Sequence, residues 1–498
     1  MPRIAELMKT LRLAVAGLLL VLLAGCSSLD DSGPIRQTAA QVAVHTGVEP
    51  QWGGSSAVEA AAADASAAST ADAAASEVDL ALAVRTAFAR NPRIREARAQ
   101  LDRARADQDA AGRLANPVLG YSRLDPSQGP GAQVTRSASV GIGELLLLPA
   151  RKRFAAGELV RVQGVIAHEL LQLRLEVEQA WFAYVAAEQV AGMRGLVAQS
   201  AAQSAALAER FHSAGNINRL QLAQERAAAA TARNGADLAT LDALRARGTL
   251  AAAMGLPTDG AWRVTPRLPV PLAADYDAAA LVPLAGSQRA DVAAANKAVQ
   301  LRADALALAR RWRWLGMVDF GYEHEREAGG GSMRGPTLSL ALPLFDQGQA
   351  SIARADAELV AAQAEADRLR LAARNEIATG VGVLRTLRGI VQRSAQSLLP
   401  EREAVVARTQ EEVNFMLKGV FELLQAKQAE HDTWQLYLEQ VRDYWLARAA
   451  LRAAGGGRLP DDDASLQDIV SPALSAPSRP AAATPDDATH HHHTGGSR

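Results

Sequence analysis

The chain has 498 residues, 49% of them hydrophobic, and a formal net charge of −1, which allows a large core or an elongated assembly. That balance argues against nucleic-acid binding, which needs a basic surface, and the single cysteine excludes an intrachain disulfide. Abundant alanine beside long charged side chains, with only 4% aromatics, predicts a mainly α-helical protein with a small β part.

The first elements form a targeting signal. Arg3, Lys9 and Arg12 precede an apolar stretch from Leu13 to Leu23, too short to span a bilayer comfortably. Leu23-Ala24-Gly25-Cys26 follows. This arrangement resembles a bacterial lipoprotein signal, which makes residues 1–25 a signal peptide and Cys26 the lipid attachment site. Attached acyl chains hold a protein to a membrane by about 0.8 kcal/mol per buried methylene. Ser27 after the cysteine favours the outer membrane, by the same resemblance. No later segment offers 18 consecutive apolar residues, so a membrane crossing would need a closed β-barrel.

Residues 26–78 read as a lipidated segment and an Ala/Ser linker, and 455–498 as a disordered, Pro-, Gly- and Asp-rich tail. Between them the chain is duplicated. "FARNPRIREARAQLDRARAD" at Phe88 is echoed by "AGSQRADVAAANKAVQLRAD" at Ala285, "GIGELLLLPARKR" at Gly141 by "LSLALPLFDQGQ" at Leu338, "EVEQAWFAY" at Glu176 by "RNEIATGVG" at Arg374, and "RFHSAGNINRLQLAQERA" at Arg210 by "NFMLKGVFELLQAKQAE" at Asn414. The four echoes keep their order at offsets of about 196 to 204 residues. The repeats are assigned to 79–262 and 285–454, with an inter-repeat linker at 263–284.

Each repeat reads helix, strand, loop, strand, long helix, glycine turn, helix. In the first, a helix runs from about Val78 to Leu114, stopped by Asn116-Pro117. "VLGYSRL" puts Leu119 and Tyr121 on one face, and "QVTRSASVGIG" puts Val134, Ala138, Val140 and Ile142 on one face with Arg136 as a discordant member. In the second, a helix spans about Ser287 to Arg313. "GMVDFGYEHE" opposes Val318, Phe320 and Tyr322 to Asp319 and Glu323, "REAGGGSMRG" is a loop, and Leu338, Leu340, Leu342 and Leu344 alternate with small or polar residues. Four strands of about ten residues match the length of an outer-membrane strand but cannot close a barrel within one chain.

The long helices follow another rule. Pro149 to Arg210 is 62 residues and Asp346 to Phe415 is 70, without a glycine turn. The first alone is roughly 93 Å at 1.5 Å per residue. Leu159, Val162, Ile166, Leu170, Leu173, Val177, Ala180 and Tyr184, like Trp434, Leu438, Val441 and Trp445, are spaced as a coiled-coil seam.

Together these features resemble the TolC-like outer membrane factors of bacterial efflux systems, in their lipoprotein branch. The resemblance rests on the duplication, the junctions "LLLLPARKR" and "LPLFDQGQ", and the turns "FHSAGN" and "FMLKGV". It implies a homotrimer in the outer membrane of a Gram-negative bacterium. Each protomer would give four strands to a twelve-strand barrel and long helices to a periplasmic α-barrel. It also implies a periplasmic adaptor protein and an inner-membrane pump of resistance-nodulation-division type as partners. Leu338, Leu340, Leu342 and Leu344 would face lipid. Phe211, Gly215, Asn216, Phe415, Gly419 and Val420 would form the periplasmic tip that meets the adaptor, with the glycines supplying positive φ for the reversals. Glu209, Arg210, Glu411, Glu412 and Glu422 would be gate charges. The function implied is a passive export conduit for heavy-metal ions or drugs. The alternative is a periplasmic coiled-coil structural lipoprotein without a pore, which has no use for alternating strands.

No catalytic constellation is present: the chain has no GxxxxGK[ST], HExxH or CxxC. Neither enzyme activity nor a cofactor is expected. His324 could pair with Glu323 or Glu325. His168, His212 and His431 are far apart and read as packing or surface residues. The tract His490, His491, His492 and His493 could bind Zn, Cu or Ni.

Overall fold

The computed structural model describes residues 33–52, 77–114, 116–125, 127, 131–264, 267–312, 318–340, 344–460 and 462. The signal, Cys26, Leu342 and His490 to His493 lie outside the described residues.

The chain opens with α1 (Gly33–Thr46), a short β1 (Glu77–Val78), then α2 (Leu80–Arg90) and α3 (Pro92–Ala111). The predicted helix from Val78 to Leu114 is therefore two helices. Asn91 stands before Pro92, whose ring disfavours helical backbone in the residue ahead of it. Asn91 takes φ −64° and ψ 128° and caps α3, its Oδ1 accepting from the Arg93 N–H at 2.9 Å. Strands β2 (Val118–Leu124) and β3 (Gln133–Gly141) form the first hairpin. From Ile142 the chain turns straight into α4 (Ile142–Ser213), a helix of 72 residues. Ile142 thus leaves the strand face on which the alternation had placed it. After a turn, α5 (Arg219–Met254) runs back along α4.

The second repeat follows the same plan: β4 (Arg263–Val264), α6 (Ala278–Gln288), α7 (Ala290–Trp312), the hairpin β5 (Val318–Arg326) and β6 (Ser332–Leu340), then α8 (Gln349–Arg393). A π-helical turn over Ser394–Leu398 joins α8 to α9 (Leu399–Asn414). It directly precedes Pro400, whose missing N–H interrupts the α-helical ladder and whose ring needs room. Finally α10 (Val420–Ala454) packs on α4, α8 and α9.

Strands β2, β3, β5 and β6 make one antiparallel four-stranded sheet in that order. The two hairpins are joined by β3 and β5, while one side each of β2 and β6 carries no partner strand among the described residues. Strand β6 ends at Leu340, so Leu344 stands beyond it in a bend, and Ser332–Gly335, read as loop, belongs to the strand.

The core lies where α2, α3, α4, α8 and α10 meet. Phe88, Ile94, Leu101, Leu173, Val177, Ile377, Tyr444 and Trp445 are buried there, and the Phe182 and Trp445 rings stack at 5.2 Å. Of the predicted seams, Leu159, Ile166, Leu170, Leu173, Val177, Ala180 and Tyr184 are buried, as are Leu438, Val441 and Trp445.

Three segments read as tethers or tail are packed. Helix α1 lies on α4, with Ala39 and Val42 buried and the Pro34 carbonyl accepting from Gln163 Nε2 at 3.1 Å. In the inter-repeat segment, β4 pairs in parallel with β1, and Trp445 Nε1 donates to the Pro269 carbonyl at 2.8 Å. After α10, Leu459 is buried and Asp462 accepts from Arg448 at 2.8 Å. Composition hid these contacts because each depends on packing against another element and not on local periodicity.

Candidate functional site: a two-faced sheet and two helical tips

Residues opposed across neighbouring strands share a face, so the register assigns every side chain of the sheet. One face holds two apolar rows near the helices: Val140, Phe320 and Leu338, then Leu119, Ala138, Tyr322 and Pro336. Val318 and Leu340 extend this band. Leu119 and Leu338 are 79% and 69% exposed, so the band covers no core within the protomer.

Towards the hairpin loops the same face changes character. Tyr121, Arg136, His324 and Arg334 form one row across all four strands, and Arg123, Val134, Arg326 and Ser332 form the next. In the sequence Arg136 and His324 stand out only separately, because a basic row is visible only once four strands are in register.

The opposite face is mostly small, polar and acidic, with the exposed Val118, Leu124 and Met333 on its two outer strands. Ser137 opposes Gly120 and Glu323, Thr135 opposes Ser122 and Glu325, and Asp319 opposes Gly141 and Ser339. His324 therefore points away from Glu323 and Glu325, and the pairing expected from sequence adjacency is not made, because neighbours along a strand face opposite ways. A Cβ on Gly321 would meet Thr337 Oγ1 at 2.7 Å and the Ala138 carbonyl at 3.0 Å, so this face is also closely packed along the backbone.

The tips lie at the other end of the long helices. At the first, α4 ends on Gly215 at φ +78°, with the Asn216 N–H donating to the Phe211 carbonyl at 2.8 Å. Asn218 then caps α5 in a reciprocal pair with Gln221. The second tip has the same plan, with the Leu417 N–H donating to the Glu412 carbonyl at 2.8 Å. Here the positive φ falls on Met416, at +59°, and not on Gly419. Gly419 is extended at φ −84° and begins α10, its N–H donating to Glu422 at 2.8 Å. The left-handed slot lies two residues beyond the last helical one, which is Asn414, so helix length and not the glycine selects it. Phe415, Met416 and Leu417 are all strongly exposed, Met416 at 93%.

The candidate gate charges are spread around these turns. Glu209 pairs with Arg226 of α5 at 2.8 Å, Glu411 with Arg408 at 3.5 Å, and Glu412 with Lys418 at 2.6 Å, all within one protomer. The Glu412 hydrogen bond holds the Lys418 ammonium above its ordinary pKa. Glu422 serves as a cap, and Arg210 is exposed.

Where the end of α10 meets the middle of α4 lies a buried charge network that sequence reading missed. Arg452 bonds Glu178, which also accepts from Arg174 at 2.8 Å, and Asp462 accepts from Arg448. Its only sequence signal was Arg174 and Glu178 at i and i+4 along a seam. Among the described residues no group of three His, Cys, Asp or Glu side chains gathers into a metal site. No described helix is long and apolar enough to cross a membrane.

Among solved structures, the chain is similar to the CmeC outer membrane channel of Campylobacter jejuni. The TM-score is 0.65 at 14% identity, over 76% of this chain and 85% of that one. It is similar to CusC, whose crystal structures describe folding and transmembrane channel formation, with a TM-score of 0.62 at 16% identity over 77% and 93%. It is also similar to the open state of the Neisseria gonorrhoeae MtrE outer membrane channel, at 0.59 and 17% over 76% and 89%. No family model and no curated protein matches the sequence. At these identities the likeness is one of fold, and this chain has the fold of these solved outer membrane channels.

Proposed function

We propose that this chain is the outer-membrane channel of a tripartite efflux system, a passive conduit from periplasm to exterior, and not an enzyme. The observation that carries this reading is the sheet. It exposes an apolar band on one face and a mostly acidic, small-residue face on the other, and its outer strands β2 and β6 have sides unpaired among the described residues. A barrel wall needs these properties: lipid outside, water inside, and edges that pair with further strands. Three copies would supply twelve strands.

In this reading Leu338 and Leu340 face lipid, with Phe320 and Leu119 beside them. Cys26 carries the anchor in the outer membrane. The tip residues Phe211, Gly215, Asn216, Phe415, Gly419 and Val420 meet the periplasmic adaptor, and the exposed Met416 and Leu417 join them. An inner-membrane pump of resistance-nodulation-division type supplies the energy. Opening is a shift of the helices around the tips, so neutralising Glu209, Arg210, Glu411, Glu412 and Glu422 together should change conductance. The cargo is heavy-metal ions or drugs, and the His490 to His493 tract favours metal ions.

The test is electrical. The purified protein should run as a heat-modifiable, SDS-resistant trimer and should conduct ions in planar bilayers. Stable trimers without conductance would mean a coiled-coil spacer instead. Growth of a deletion strain on graded copper, silver, zinc, dyes and detergents then assigns the cargo class.

A further inference from the structure

The outward face of the sheet is divided by charge, and the division is complete. Among the described residues of that face stand Arg123, Arg136, Arg326, Arg334 and His324, with no aspartate or glutamate. Asp319, Glu323 and Glu325 all stand on the opposite face, which holds no basic residue. The basic residues are also confined along the strands. They occupy the two rows nearest the hairpin loops, and the rows below them are apolar.

In the row of Tyr121, Arg136, His324 and Arg334, the two arginines flank the histidine on adjacent strands. Arg326 stands diagonal to Arg136 on one side and to Arg334 on the other, and diagonal neighbours about 7–8 Å apart are within reach of long side chains, so like charges are gathered here. Arg123 is relieved by Asp125 at 3.3 Å. Arg136, Arg326 and Arg334 are exposed and pair with no carboxylate among the described residues. Carboxylates were available at neighbouring strand positions, yet they point through to the other side. The arrangement makes sense when an anion lies against the outer face.

Position identifies that anion. The row directly below holds Leu119, Ala138, Tyr322 and Pro336, and Phe320 and Leu338 follow. A ligand reaching the arginines from this side therefore has an apolar part against the band and an anionic part at its upper edge. Guanidinium forks suit phosphate oxygens. Resting on the channel reading above, we propose that Arg136, Arg326 and Arg334, with His324 between them, bind the headgroup phosphates of an anionic outer-leaflet lipid.

The experiment uses the full-length trimer in detergent, with bisphosphorylated lipid A as the probe. Lipid A stripped of its phosphates and inorganic phosphate serve as controls. Lipid A should raise the unfolding temperature of the wild type, and both controls should leave it unchanged. R136Q/R326Q/R334Q should bind lipid A at least tenfold more weakly, and R136K/R326K/R334K should recover most of that loss. Both variants should form SDS-resistant trimers and conduct like the wild type in phosphatidylcholine bilayers. Equal stabilisation by the dephosphorylated lipid or by inorganic phosphate would overturn the proposal, as would unchanged lipid A affinity in the glutamine variant. A wild type that never conducts would instead sink the channel reading, while phosphate-dependent lipid binding would still be read separately.

Discussion

Arg452 on α10 and Glu178 on α4 form a buried ion pair between residues 274 apart in sequence, with side chains only 5% and 3% exposed. The pair joins the two repeats, linking the last turn of α10 to the middle of α4. Two desolvated charges are costly apart, and removing one partner of such a pair typically costs about 3–5 kcal/mol. We expect R452M to lower the apparent unfolding temperature of the trimer sharply, since Arg174 alone stays beside Glu178. R452M/E178Q should recover part of the loss. Losses in R452M and E178Q that simply add in the double variant would show that the pair is not coupled.

The segment after α10 gives a second test. Leu459 is buried and Asp462 bonds the buried Arg448. A chain ending at Gly457 loses both, including about 2 kcal/mol from Leu459 burial, whereas a chain ending at Asp463 keeps them. Differential scanning calorimetry should find the shorter chain less stable and the longer one close to full length. Any comparison of metal resistance with and without the histidine tract should therefore use the longer truncation.

The two tips predict opposite responses to the same substitution. A Cβ at Gly215 or at Gly419 meets nothing within 4 Å, so only backbone conformation distinguishes them. Gly215 sits at φ +78° and Gly419 at φ −84°. G215A should weaken the first turn by about 1–2 kcal/mol, and G419A should leave the second turn intact. Local hydrogen exchange at 214–218 and 415–420 reads both. Faster exchange in G419A alone would overturn this assignment.

Acid should loosen the helical part through two histidines. Burial is the largest cause holding His45 below its ordinary pKa of 6.5, and Arg458 and Arg174 push the same way. His431 is lowered chiefly by burial as well. As pH falls below about 6.5, the unfolded chain takes up protons that the folded chain resists. Stability therefore drops until the folded-state values are passed, by at most about 1.4 kcal/mol per pH unit for each histidine. Unfolding temperature measured from pH 7.5 to 5 should slope less in H45Q/H431Q than in the wild type. Parallel slopes would remove these groups from the account.

The duplicated plan is repeated in detail at the helix breaks. Asn91 Nδ2 donates to the Ala253 carbonyl at 2.8 Å, and Arg289 Nη1 reaches the Ala454 carbonyl at 3.4 Å. Each break thus covers the end of its own repeat's last helix. Gly255, at φ +71°, lies so close that a Cβ would meet Asn91 Cα at 2.7 Å. G255A combines that clash with backbone strain and should reduce folded yield well below that of G419A.

The sequence by itself determined what depends on local periodicity. Alternating Leu338 and Leu340 made a strand, and Leu159 to Tyr184 made a helical seam, because side-chain direction repeats every 2 or 3.6 residues whatever the partner is. The duplication was legible because like segments recur in order. Only the tertiary structure decided what depends on distant partners. It paired β3 with β5, which gathered Arg136, His324 and Arg334 into one row. It folded 33–52 and Asp462 onto the helices, and it moved the left-handed residue from Gly419 to Met416. In each case the deciding energy is a tertiary contact or the exact end of a helix, which residue periodicity does not encode.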